Sequence, residues 1–374
     1  GSATPDLKTF YAVREAKIPV STLPARVGGG TLPSIRLVDI RSMNCVESIL
    51  APETLSALKQ TVEQGDQAVI LLNRRGYAPL MYCIDCGKVA RCPHCDIGLT
   101  YHKGRERLVC HYCGYSVPFP SPCPSCKGLH FHPMGQGTER VEEYIGTLLP
   151  PGGRVLRLDR DSTRRPGRME EILESFARQE AQVLVGTQML SKGHHPNVTL
   201  VGILAADLSL HTSDFRAAER TFQLLVQSSG RAGRGEKPGQ VIIQTRDVNH
   251  YCWQYVKNGD YEGFYDYEIA LRKRRRYPPF INLALLRISY PMDWADGPTQ
   301  LARITALLRS ESKGVTVLGP APAPLPLLRG RRRFQCLLKA GDWQSIRALY
   351  AVLLPLASPP NLRISLDIDP VNML

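Results

Sequence analysis

Residues 182–205 read QVLVGTQMLSKGHHPNVTLVGILA. Two short apolar runs in it, Gln182–Gly186 and Thr199–Ala205, are continuous rather than alternating, the pattern of strands buried on both faces. Upstream, a helix is expected over Pro52–Gln64, with Leu55, Leu58 and Val62 on one face, then a buried strand over Ala68–Leu72. A helix over Thr138–Leu149, a strand over Arg154–Asp159 and a helix over Met169–Arg178 follow. Downstream, a long helix from Asp214 to Ser229 leads to a strand over Gln240–Gln244. Repeated strand–helix units of this kind predict an α/β lobe: a parallel sheet with helices on both faces.

From His250 the pattern changes. Tyr251–Tyr277 is aromatic-rich and ends in Arg272, Lys273, Arg274, Arg275 and Arg276, before Pro278-Pro279. Strands are expected over Leu283–Tyr290, Val315–Leu318, Phe334–Lys339 and Leu362–Asp367, with a Pro-rich loop after the second. Helices over Thr299–Arg309 and Trp343–Leu354 complete a βαββαβ order, that of a separate C-terminal α+β domain. The expected division is 1–50 as a preceding segment and linker, 51–81 with 133–249 as the lobe, 82–132 as an insertion after its first strand, and 250–374 as the C-terminal domain.

The insertion is defined by cysteine. Eight of the eleven cysteines form four Cys-x-x-Cys pairs: Cys83/Cys86, Cys92/Cys95, Cys110/Cys113 and Cys123/Cys126. A two-residue gap aims both sulfurs at one ion and two such knuckles complete a tetrahedral site, so four knuckles imply two structural zinc ions. Disulfides fit an odd cysteine total poorly, and a redox function needs only one pair. Spacing leaves the pairing open between nested, sequential and cross-braced arrangements. His94, His102, His111, His130 and His132 are nearby, but four full pairs leave them no ligand position, which argues against catalytic zinc. Cys45, Cys252 and Cys336 read as buried apolar residues.

The net charge is +13, carried by 35 Arg and only 12 Lys. Arg suits bidentate grip on phosphates, and a nucleic-acid partner is the sharper reading of a charge that a merely basic surface would also explain. No apolar run is long enough for a membrane helix and the first residues given lack a charged start followed by an apolar stretch, so a cytoplasmic protein is expected.

Two stretches carry chemistry. In GTQMLSKGHH (Gly186–His195), Gly186, Thr187 and Gln188 fall at a strand's carboxyl end, where parallel α/β sheets hold ligands. In QSSGRAGR (Gln227–Arg234), Arg231 and Arg234 are one helical turn apart, and Gly230 and Gly233 permit close backbone approach. Paired arginines so placed suit a triphosphate, stabilising charge on the transferring phosphoryl.

Here the sequence resembles superfamily-2 helicases: QSSGRAGR is similar to their motif VI, GTQMLSKGHH to motif V, and GSATP (Gly1–Pro5) to motif III. LNRRGY (Leu72–Tyr77), the four Cys pairs, MGQGTER (Met134–Arg140), DFRAAER (Asp214–Arg220), YPPF (Tyr277–Phe280) and LDIDP (Leu366–Pro370) narrow the resemblance to the primosomal N-prime family of bacterial replication-restart DNA helicases. It implies a RecA-like second helicase lobe over the α/β region, with residues 1–50 ending the first motor lobe. It also implies ATP-dependent 3′→5′ unwinding at branched DNA, primosome assembly at stalled forks, and binding to single-stranded DNA, single-strand DNA-binding protein and other primosome proteins, in a nucleoid-associated setting. Arg231 and Arg234 become phosphate-sensing residues with Gln227 beside them. Gly186, Thr187, Gln188, Lys192 and Gly230 become nucleotide–DNA coupling residues. Cys83, Cys86, Cys123 and Cys126 become one zinc site, and Cys92, Cys95, Cys110 and Cys113 the other.

The sequence departs from the family in one respect. No G-x-x-x-x-G-K-[ST] loop and no Mg²⁺-binding acidic box occur in it. The chain therefore reads as the C-terminal half of such a helicase, cut at motif III, with a natural homologue that lost its motor lobe as the second possibility. By itself it is expected not to hydrolyse ATP, since ATP and magnesium need the first lobe. The zinc region is expected to project from the lobe and to offer Tyr101 and Arg105 to DNA. Arg274, Arg331 and Arg332 are further DNA-contact candidates from the two basic runs. The competing reading is a non-catalytic zinc-containing scaffold that binds DNA or primosome proteins.

Overall fold

Gln67–Leu72, Val183–Gly186 and most of Val198–Leu204 are buried at every position, so these segments lie inside a sheet covered on both sides. The computed structural model describes residues 1–23, 33–43, 49–72, 81–94, 97–102, 106–110, 113–133, 138–159, 162–163, 165–187, 190, 198–212, 214–233, 237–358 and 360–373. Along the chain run α1 (Leu7–Arg14), β1 (Ser34–Asp39), α2 (Pro52–Glu63), β2 (Gln67–Leu72), β3 (Met81–Cys83), β4 (Thr100–His102), β5 (Arg107–Val109), β6 (Ser116–Pro118) and β7 (Phe131–Pro133). Then come α3 (Thr138–Gly146), β8 (Val155–Leu158), α4 (Arg168–Ala177), β9 (Val183–Gly186), β10 (Val198–Leu204), α5 (Asp207–Leu210), α6 (Ala217–Ser229) and β11 (Gln240–Thr245). The last elements are α7 (Cys252–Asn258), α8 (Tyr261–Arg275), β12 (Asn282–Pro291), α9 (Gly297–Ser310), β13 (Val315–Leu328), β14 (Arg331–Ala340), α10 (Trp343–Leu353) and β15 (Arg363–Ile368).

A six-stranded sheet, ordered β1-β11-β10-β2-β9-β8, is parallel throughout. Residue parity sorts its side chains onto two faces. Ala68, Ile70 and Leu72 meet Leu58 of α2 and Val141 and Ile145 of α3. Val69 and Leu71 face the other core, built by Phe176 of α4, Phe222 and Leu225 of α6, Trp253 of α7 and Phe264 of α8.

Three expectations are corrected by the packing. Residues 1–50 do not stand apart, because β1 is the edge strand of this sheet and Leu7 is buried in its core. The cysteine-rich insertion consequently follows the sheet's second strand in chain order. Cys252, Trp253, Val256, Phe264 and Tyr265, expected in the C-terminal domain, pack into the core of the lobe.

The C-terminal domain has the expected βαββαβ order, with antiparallel strands arranged β13-β14-β12-β15 and α9 and α10 covering one face. The Pro-rich stretch is not a loop: β13 runs through it to Leu328. Proline lacks the amide a central strand must donate, and β13 is an edge strand, where that loss is tolerated. Arg329-Gly330, with φ of +51° and +71°, makes the two-residue turn into β14. Among the described residues no helix is long and apolar enough to cross a membrane.

Candidate functional site

The four Cys-x-x-Cys stretches have one hydrogen bond in common. In each, the amide of the first cysteine donates to the carbonyl five residues on: Cys83 to Lys88, Cys92 to Ile97 and Cys110 to Tyr115 at 2.8 Å, and Cys123 to Gly128 at 2.9 Å. Gly87, Gly114 and Lys127, each following a second cysteine, adopt left-handed backbone with φ of +72°, +79° and +66°. These turns bring sulfurs to one point.

The Sγ atoms of Cys83, Cys86, Cys123 and Cys126 all lie within 4.8 Å of one another, and those of Cys92, Cys110 and Cys113 form a second group. Cys95 is outside the described residues. Observed separations are 3.5 Å for Cys83–Cys126, 3.7 Å for Cys86–Cys123 and 3.6 Å for Cys92–Cys113. A tetrahedron with Zn–S bonds of about 2.3 Å has edges of about 3.8 Å, so the sulfur sets fit that ion. The sulfurs group outer pair with outer pair, and the inner group likewise holds cysteines of both inner pairs. Burial pushes the Cys83 thiol up, so holding its thiolate requires the charge a cation supplies. His94 and His130 are exposed, the first against Tyr115 and the second 3.3 Å from Asp85, and neither belongs to a sulfur group.

This module does not project freely. Met81, Ile97, Leu99 and Leu108 share one core with Tyr277, Leu283, Leu285 and Leu337 of the C-terminal domain and with Phe215 of the lobe. Toward the lobe, a Cβ on Gly87 would collide with the carbonyl of Arg246, while the Arg246 guanidinium lies 4.3 Å from the Tyr82 ring centre.

Gly186 and Thr187 lie at the carboxyl end of β9, as expected. Thr187 N–H donates to the Leu158 carbonyl at 3.3 Å, and a Cβ on Gly186 would strike that same carbonyl, so close strand packing alone demands glycine there. The Arg231 segment is elsewhere. Gly230 ends α6, and Gly233 N–H donates at 3.0 Å to Val198, the first residue of β10. Val198 pairs with Gln67 and Gly186 with Leu71, four residues apart on β2, about 13 Å at strand rise. Gly186–Thr187 and the Gly230–Gly233 turn therefore lie at opposite ends of the sheet.

What the fold does bring together is the N-terminal segment and α6. Gln227 Nε2 donates to Thr4 Oγ1 at 3.2 Å, and Gln223 Nε2 to the Thr4 and Pro5 carbonyls at 3.2 Å, with Thr4 itself buried. Arg231 follows Gln227 by one turn. Gln188, Lys192 and Arg234 lie outside the described residues.

The carboxyl ends of β10 and β11 hold a cluster of ionisable groups that sequence reasoning missed: buried Asp207, His211 and Arg246, with half-buried Asp247. Burial pushes Asp207 up to about 6 against the pull of Arg246. It also holds His211 well below its usual value, with Arg91 of the zinc module adding to the effect. His211 Nε2 is 3.6 Å from Asp247 Oδ2. A second missed group is Asp159, after β8, which accepts from Thr138 Oγ1 at 2.5 Å and from Ser162 N–H at 2.8 Å. Acids immediately after apolar strands were the available signal.

The DNA-contact candidates divide. Tyr101 is half-buried, packed on Phe119 with ring centres 4.9 Å apart against the shared core. Arg105 is outside the described residues. Arg274 and Arg332 are exposed. Arg331 is committed internally, its guanidinium donating at 2.8 Å to the carbonyls of Ser289, Pro360 and Asn361. Arg272, in the same basic run as Arg274, is buried in a 2.6 Å pair with Glu219.

Comparison with known families bears on both ends of this arrangement. Residues 92–118 match the model of the PriA DNA helicase Cys-rich region (CRR) domain, and residues 273–371 that of the primosomal protein N C-terminal domain. Those two stretches are thus similar to the Cys-rich region and the C-terminal domain of PriA proteins. Replication restart protein PriA of Bacillus subtilis (strain 168) is 42% identical over 382 residues, covering 100% of this chain and 47% of the relative. Replication restart protein PriA of Haemophilus influenzae is 37% identical over 378 residues, covering 100% and 51%. The chain thus spans about half the length of the PriA relatives it matches. The C-terminal domain of the DEAD-box protein Dbp5 aligns at a TM-score of 0.30 and 12% identity, over 65% of this chain and 97% of its own, a likeness too distant to bear on the site.

Proposed function

We propose that this chain is the nucleotide-sensing and DNA-gripping part of an ATP-dependent 3′→5′ DNA helicase that acts in replication restart and primosome assembly at stalled forks. The observation that carries the reading is the hydrogen bond from Gln227, at the exposed side of α6, to the buried Thr4, which joins the GSATP segment to the helix leading into Arg231. In this reading Arg231 and Arg234 meet the phosphates of ATP held by a separate lobe, beside Gln227. Gly186, Thr187, Gln188, Lys192 and Gly230 relay that state to DNA. Two zinc ions, one per sulfur group with Cys95 completing the second, hold the module that joins lobe to C-terminal domain. Exposed Arg274 and Arg332 grip backbone phosphates of single-stranded or branched DNA. Single-strand DNA-binding protein and other primosome proteins are the proposed partners, in the bacterial cytoplasm.

Two measurements test this. The chain alone is expected to show no DNA-stimulated ATP hydrolysis, since it has no phosphate-binding loop. Joined to a lobe that supplies the loop, it is expected to unwind forks, and Arg231→Ala should cut ATP turnover by about 10³-fold. Undiminished turnover in that variant favours a zinc-containing scaffold instead.

A further inference from the structure

Helix α6 presents two sets of contacts. Glu219, Gln223 and Gln227, four residues apart and so on one stripe, face the N-terminal segment: Glu219 Oε1 accepts from Leu7 N–H at 2.7 Å, and the two glutamines reach Thr4 and Pro5. Asp214, Arg216 and Arg220, just before and within its first turn, face the C-terminal tail. Arg216 Nη2 donates to the Pro370 carbonyl at 2.6 Å, and Arg220 Nη2 donates to the Val371 carbonyl. Buried Asp214 holds both guanidinium groups, accepting from Arg220 Nη1 at 2.8 Å and Arg216 Nε at 3.3 Å. Between them, Phe215 stacks on Tyr277 with ring centres 4.6 Å apart and planes 2° from parallel.

We infer that Asp214, Arg216 and Arg220 are positioning residues that lock the C-terminal domain to α6, so that any displacement of its Gln227–Arg231 end is carried to that domain. An α-helix is stiff over this length, and each arginine bridges a carboxylate and a main-chain carbonyl at once, a geometry the fork of guanidinium supplies and a single ammonium does not. The inference rests on the nucleotide role proposed for Gln227 and Arg231.

The test compares ATP turnover with base pairs opened per ATP on fork DNA, in the protein that includes the phosphate-binding lobe. Arg216→Gln with Arg220→Gln is expected to leave ATP turnover and fork affinity within about twofold and to lower opening per ATP about tenfold. Zinc content and circular dichroism report folding, and Arg220→Lys, which keeps the charge but loses the bridge, is measured in the same way if the double variant does not fold. Unchanged opening per ATP in a folded variant overturns the inference alone. A parallel fall of turnover, opening and thermal stability overturns it too, since that marks a merely structural role. Absence of ATP-driven opening in the unmodified protein overturns the proposed function, and the inference with it.

Discussion

Asp207 is wholly buried, and burial pushes its carboxyl up to about 6 from an ordinary 3.8. The folded protein therefore binds this proton more tightly than the unfolded chain does. The stabilisation is complete below about pH 4 and lost as pH rises through about 6. His250, held down to about 3 by burial and then Arg91, and His211 have the opposite sign. Unfolded imidazoles take protons that the folded ones refuse, so stability falls as pH drops through 6.5. Between pH 7 and 5 the two imidazoles therefore bring a fall in stability that Asp207, and the likewise raised Asp247 beside it, oppose. Asp207→Asn removes one opposing contribution and should steepen that fall by about 1 kcal/mol. Urea unfolding at pH 7, 6 and 5 measures it, and a shallower slope in the variant contradicts the assignment.

At the scale of elements, β14 shows how one strand start sorts its arginines. Arg331 spends its donors on Ser289 of β12 and on the 360–361 turn, closing the sheet corner, while Arg332 next to it is exposed. Arg331→Ala should cost about 1–3 kcal/mol, because three carbonyls lose a charged donor, and should leave the salt dependence of DNA binding unchanged. Arg332→Ala and Arg274→Ala should change stability by no more than about 0.5 kcal/mol. Each should reduce the slope of log affinity against log salt by about 0.9. Fluorescence anisotropy at four salt concentrations separates these outcomes. A reduced slope for Arg331→Ala would return that residue to the DNA surface.

For the whole molecule, the decisive arrangement is a core shared by three parts. Leu99 and Leu108 of the zinc module, Leu283, Leu285 and Leu337 of the C-terminal sheet, and Phe215 of the lobe are packed together. Metal loss should therefore not remain local, because binding free energy at a structural thiolate site is folding free energy. Chelation of the purified chain is expected to raise amide exchange at Leu283, Leu285 and Leu337 as well as within 81–133. Exchange confined to 81–133 would mean the module folds and unfolds by itself.

The sequence alone determined whatever local pattern can carry. Parallel-strand runs such as Val183–Val185, the βαββαβ order and the four knuckles are readable because burial on both faces, periodicity and ligand spacing are properties of neighbouring residues. The membership of Ser34–Asp39 in the sheet was not legible, since pairing with β11 joins residues some 200 positions apart. The same limit hid the fate of the basic runs: Arg272, Arg274, Arg331 and Arg332 are one residue type, and only the fold decides which meet Glu219 or a turn carbonyl and which meet water. Tertiary structure alone also placed the Arg231 segment and Thr187 at opposite sheet ends, and closed the zinc module into a common core. Each of these depends on contacts between distant segments, whose free energy arises only when the chain brings them together.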